Sequence, residues 1–123
     1  MAVDSPRTIS DGITSIAKVA LEKKCALKVV MCGLLPRGSK NSREREACCK
    51  VNEFLRRFSM NGIFRGISYL PPESDWVLPD GDLDMSLYFT DGLHLVENGY
   101  AKLCVAINGA IEKAINGKKK KKR

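Results

Sequence analysis

The run Leu27-Lys28-Val29-Val30-Met31-Cys32-Gly33-Leu34-Leu35 constrains the fold more than any other stretch of the chain. It is apolar at all but one position and rich in valine, which is how a parallel strand covered on both faces reads. Such a strand needs a parallel neighbour and helices above and below it. The sequence supplies a neighbour at Ile63 to Leu70, closed by Pro71-Pro72, while Pro36-Arg37-Gly38 ends the first strand. Between them, Asn41 or Ser42 can cap an amphipathic helix reaching about Met60, with Ala47, Val51, Phe54, Leu55 and Phe58 inward and Asn61-Gly62 as its stop. Ahead of the first strand, Ile9, Ile13, Ile16, Ala17, Ala20 and Leu21 recur at helical spacing over residues 9 to 24, with Thr8 or Ser10 as the cap. After the second strand, residues 71 to 95 show no regular period, and a helix returns from Glu97 to Ile115. Its stripe is Tyr100, Leu103, Cys104, Ile107, Ile111 and Ile115, and Asn116-Gly117 ends it.

This order is a βαβ unit with a further helix at each end. A right-handed crossover makes its two strands parallel. The expected fold class is α/β, part of a three-layer α/β/α arrangement with two parallel strands and flanking helices. Two strands make a sparse sheet. The strand at 27 to 35 is left with an unpaired apolar edge, so self-association is expected.

At 123 residues, with 44% hydrophobic and 28% charged composition, the chain reads as one globular domain over residues 1–117 followed by a basic, disordered tail at 118–123. The tail contributes six of the seven net positive charges, so residues 1–117 carry +1. A nearly neutral body argues against a broad nucleic-acid face. The tail could contact phosphates, anionic lipid or the nuclear-import machinery, or simply be a solvated end. No apolar run approaches the ~20 residues a membrane helix needs. With no apolar leader either, cytoplasmic residence is the expectation, nuclear if the tail is an import address. Five cysteines (Cys25, Cys32, Cys48, Cys49, Cys104) have no metal-type spacing, and no metal or other cofactor is indicated. Cys32 on a buried strand and Cys104 on a helix face read as small hydrophobes, and the adjacent Cys48 and Cys49 point in different directions.

Chemistry concentrates at Thr90-Asp91-Gly92-Leu93-His94-Leu95, which holds the sole histidine. An imidazole with an ordinary pKa of ~6.5 takes and returns protons near neutrality. A carboxylate three residues earlier can reach its other ring nitrogen, fix the tautomer and stabilise the imidazolium, as the base and its orienting acid do in a catalytic triad. A surface histidine in an Asp-Gly turn is the alternative. The apolar residues of 71–95, among them Trp76, Leu83, Leu87, Tyr88 and Phe89, imply a connection that packs down and delivers His94 to a cleft.

Together with Glu97-Asn98-Gly99-Tyr100, this segment resembles the last block of SGNH (GDSL-type) ester hydrolases, in which Asp-x-x-His-Leu precedes x-x-Gly-Tyr and the final helix. Val29 to Gly38 and Cys49-Lys50-Val51-Asn52-Glu53-Phe54-Leu55 are similar to catalytic subunits of platelet-activating-factor acetylhydrolase. Glu73 to Tyr88 is closer to SGNH domains of non-long-terminal-repeat retrotransposons. The resemblance runs from about Ile9 to Ile115 and corresponds to the C-terminal half of that fold. It implies a hydrolase acting on a small carboxyl ester without a cofactor, with His94 and Asp91 as catalytic base and orienting acid. The family's Gly-Asp-Ser nucleophile block, its oxyanion glycine and its Gly-x-Asn turn are not in these 123 residues. Val3-Asp4-Ser5-Pro6 lacks the glycine and the preceding strand, and is coincidental. The chain alone is therefore expected to be inactive. A second reading is a non-catalytic, retrotransposon-derived assembly fragment whose tail engages nucleic acid.

Overall fold

The computed structural model describes residues 5–24, 28–62, 64–72 and 74–121, with side chains left out at 74 and beyond 116. Helix α1 runs Pro6–Glu22, strand β1 Val29–Cys32, helix α2 Arg43–Met60, strand β2 Ile67–Leu70 and helix α3 Glu97–Lys121, with one 3-10 turn at Ser74–Trp76. β1 and β2 are parallel, Val29 standing opposite Ile67 and Cys32 opposite Leu70. α1 lies on β1 and α2 on β2, with the two helices packed together, while α3 touches both strands. Alternation along the strands separates their two faces. Met31 and Ile67 join Ala17, Val51 and Leu55 in the core beneath α1 and α2. Val30, Ser68 and Leu70 line the space beneath α3. The α/β/α layering expected of the sequence is thus present.

The helix starts follow local chemistry. Ser5 caps α1, its Oγ accepting from Thr8 N at 3.1 Å, and Pro6 fills the first turn, where no amide partner is needed. The expected caps, Thr8 and Ser10, are instead inside the helix. Ser10 is fully buried and its hydroxyl donates to Pro6 O at 2.8 Å, so a polar residue enters the core without an orphaned donor. Ser42 caps α2 through Arg45 N at 3.1 Å. Gly62, at φ +79°, turns the chain after α2. Full burial of Val51 and Leu55 on that helix contributes about 1.5–3 kcal/mol each.

The strands are shorter than their apolar runs. β1 occupies four residues, because Gly33 to Leu35 leave the ladder, and Leu27 and Ile63, the expected first residues of the two strands, lie outside the described residues. Cys32 is exposed, not buried, and so is Cys104; Cys48 is buried and Cys49 exposed, as helical geometry requires, and Cys25 lies outside the described residues. α3 continues to Lys121 and does not stop at Gly117. Its apolar stripe is partly rotated from expectation. Leu103 and Ile107 of that stripe are half-buried, with Ala106, Ala110 and Ala114 beside them, while Tyr100 (54%), Ile111 (44%) and Ile115 (67%) stand exposed. No helix among the described residues is long and apolar enough to cross a membrane.

Candidate active site

The connection between β2 and α3 builds a second, smaller core, against which Leu35 and Leu103 also pack. Trp76, Leu83, Leu87, Tyr88 and Leu95 are buried together, and the Trp76 and Tyr88 rings meet edge to face with centroids 6.1 Å apart. Isolated antiparallel bridges join Val77 to Leu83 and Tyr88 to Leu95. The second of these makes a small hairpin whose tip is Phe89 to His94. Phe89 N donates to His94 O at 2.8 Å, Gly92 N to Phe89 O at 2.9 Å, and Val96 N to Leu87 O at 3.0 Å. Gly92 takes φ +64°, a left-handed turn conformation that favours glycine. At the start of α3, a Cβ on Gly99 would run into the Leu87 carbonyl oxygen, so only glycine lets the helix seat against the hairpin.

The Asp91 carboxylate organises the tip. Its Oδ1 accepts from the backbone amides of Leu93 (2.9 Å) and His94 (3.0 Å), and its Oδ2 meets His94 Nδ1 at 2.6 Å. The His94 hydrogen bond, followed by the two amides, holds the Asp91 carboxyl well below its usual range, at about 2. An ionised carboxylate only accepts, so the proton of this bond belongs to Nδ1 and the neutral ring carries its lone pair at Nε2. The side chains are 66% and 48% exposed, so the pair adds little to stability. Its effect is orientation. The expected contact between Asp91 and His94 is therefore made, from within a single turn.

Three polar side chains fix the facing loop after β1, of which the sequence pointed only to Tyr88, and to that one as a packing residue. Asn52 on α2 brackets Leu34, accepting from its amide at 2.7 Å and donating to its carbonyl at 2.9 Å. Arg45 donates to Gly38 O and Gly81 O, both at 2.8 Å. The buried Tyr88 hydroxyl donates to Pro36 O at 2.7 Å, and burial pushes that phenol up to about 12. Asn52 had a visible signal, a polar residue among the inward positions 48, 51 and 55 of α2. Arg45 had none, since it sits in an ordinary charged first turn. These bonds place Leu34, Leu35 and Pro36 across from Leu93 and, with Ile9 and Val51, around a mostly apolar cleft of ≈780 Å³.

No described cysteine is bonded to His94. Burial raises the Cys48 thiol, and the partial cover over the otherwise exposed Cys32 raises that thiol too, the opposite of what a nucleophile requires. Among the described residues, no group of three or more His, Cys, Asp or Glu could hold a metal ion.

A three-layer α/β body with an ordered loop at the carboxyl end of its strands is an architecture with known counterparts. The esterase domain of the ZfL2-1 ORF1 protein from the zebrafish ZfL2-1 retrotransposon superposes with a TM-score of 0.70 over 90% of this chain and 61% of its own, at 14% identity, so the likeness is one of fold. Comparison with protein-family models gives no match. Sequence similarity is closer elsewhere. Bovine platelet-activating factor acetylhydrolase IB subunit alpha2 is 31% identical over 103 residues, 84% of this chain and 44% of that protein. The chicken alpha2 subunit is 29% identical over 115 residues (94% and 49%), and human subunit alpha1 31% over 103 residues (84% and 43%). The chain is thus similar in sequence to platelet-activating factor acetylhydrolase IB subunits, and spans less than half the length of these relatives.

Proposed function

We propose that this chain carries the proton-transfer half of a carboxyl-ester hydrolase site, with His94 as general base and Asp91 as the residue that orients it. The observation behind this reading is the 2.6 Å bond from His94 Nδ1 to the ionised Asp91, which leaves Nε2 as the basic nitrogen on a loop beside an apolar cleft. In a complete site of this type, Nε2 takes the proton of a serine hydroxyl as the oxygen attacks the ester carbonyl. The imidazolium then protonates the departing alcohol, and a second cycle with water releases the acid. The cleft walls, Leu34, Leu35, Pro36 and Leu93, suit an acyl chain of modest length.

These residues contain neither the Gly-Asp-Ser block nor the Gly-x-Asn turn of SGNH hydrolases, so the 123-residue chain does not complete the reaction by itself. Removing a triad nucleophile costs about 10⁶-fold in rate where it has been measured. The isolated chain is expected to hydrolyse p-nitrophenyl acetate no faster than an equal concentration of free imidazole. Saturable turnover that His94→Ala abolishes would overturn the inactivity of the isolated chain and mean that another residue acts as nucleophile.

The basic run at Lys118–Arg123 favours a second activity on the same chain, contact with nucleic-acid phosphates. It is independent of the ester site, because the remaining residues are close to neutral.

A further inference from the structure

Asparagine stands before glycine at four positions of the chain, Asn61, Asn98, Asn108 and Asn116. In such a pair the glycine nitrogen, which no side chain shields, can attack the asparagine side chain. A bond forms from the glycine N to the asparagine Cγ, ammonia leaves, and a five-membered succinimide remains. Water then opens one of its two imide C–N bonds, giving aspartate or isoaspartate. The ring cannot close while the main chain is held helical, because the asparagine ψ must swing to carry the following amide round to the side chain. The four pairs are alike in sequence, and the fold separates them.

Three of the four lie in α3. Gly109 is in its interior, where each amide is tied to the carbonyl four residues earlier. Gly99 is buried in the first turn, so close to the Leu87 carbonyl that a Cβ does not fit. A swing at Asn108 or Asn98 therefore breaks the helix or unseats it from the hairpin. Asn116 is in the last turns, where helix ends fray.

Asn61 is placed differently. It is the C-cap of α2, at φ −75° and ψ −9°, and its amide donates to Phe58 O at 3.4 Å, the long end of a hydrogen bond. Gly62 follows at φ +79°, with nothing within 4 Å of where a Cβ would stand. Both residues are exposed, as is Met60 before them (70%). Rotation of ψ at Asn61 acts beyond the last helical residue and leaves the α2 ladder intact.

We propose that Asn61-Gly62 is a self-modification site, at which the folded chain converts Asn61 to isoaspartate and aspartate with release of ammonia. Either product adds a carboxylate at the C-terminal end of α2, where the helix dipole already places partial negative charge. The isoaspartyl form also adds a methylene to the main chain between Phe58 and Phe64, whose rings stack with centroids 5.4 Å apart. Ile67, the first residue of β2, donates its amide to Phe64 O at 3.1 Å, so the change reaches the entry to the sheet.

The test is incubation of the full chain in mildly alkaline buffer, with and without urea. Peptide mass spectrometry follows amide-to-acid conversion at each asparagine, and methyl transfer by an isoaspartyl methyltransferase counts isoaspartate. In the folded chain Asn61 is expected to convert at least ~10-fold faster than Asn98 and Asn108, which react only through local opening of α3, and in urea the three rates are expected to converge. Asn61→Gln, whose ring would be one atom larger and closes far more slowly, is expected to remove most of the methyl labelling while the circular dichroism is kept. Equal rates at the three sites in the folded chain overturn the proposal. So does a lead of Asn61 that persists undiminished in urea, since local sequence and not the fold would then set it. Methyl labelling unchanged in Asn61→Gln places the isoaspartate elsewhere and overturns it too.

Discussion

Asp91 does three things with one carboxylate: it caps two amides of its own turn, fixes the ring of His94 and stays ionised while doing so. Its depressed pKa sets the acid limit of this arrangement. The contribution is complete above the ordinary carboxylate value of 3.8 and is lost as pH falls toward about 2, so the turn survives mild acid. Asp91→Asn keeps the shape but can donate as well as accept, and so no longer forces the proton onto Nδ1. Nitrogen-15 NMR of the ring is expected to show the Nδ1–H tautomer in the neutral native side chain and a mixture in Asp91→Asn. An unchanged tautomer in the variant would remove Asp91 from the orienting role. This pair was legible in the sequence because it is local, three residues apart in one turn. The bonds that hold the facing loop were not, since Asn52 reaches Leu34 across 18 residues and Tyr88 reaches Pro36 across 52.

Among the elements, α1 buries Ser10 and Thr14 and leaves Ile16 exposed, while α2 came out close to its apolar periodicity because it packs on α1 as well as on the strands. α3 did not. It has only the sheet and the hairpin to pack against, so Leu103 and Ile107 of the expected stripe are half-buried together with Ala106, while Tyr100, Cys104, Ile111 and Ile115 stay outside. Strand length was overread for a related reason: Leu34 and Leu35 are apolar because they line a cleft. The junction of α3 with the hairpin depends on Gly99. Gly99→Ala sets a methyl group against the Leu87 carbonyl, and overpacking of this kind typically costs about 1–3 kcal/mol. Denaturant titration is expected to show that loss, with exchange near Leu87 and Val96 accelerated first. A variant as stable as the native chain would mean that α3 is not seated there.

At the scale of the whole molecule, six of the seven net positive charges collect in the last six residues. If the tail binds RNA or DNA, affinity falls steeply with salt as counterions are released, and deleting residues 118–123 abolishes binding with the circular dichroism of the body kept. Binding that survives the deletion belongs to the body. The ester-hydrolase account meets its most direct test in reconstitution. Turnover of p-nitrophenyl acetate is measured for the chain mixed with the unmatched part of bovine subunit alpha2, using native chain and His94→Ala in parallel. The expected result is saturable turnover in the native mixture, absent from either piece alone and reduced by about 10⁴-fold or more in His94→Ala. Equal turnover with His94→Ala would contradict it.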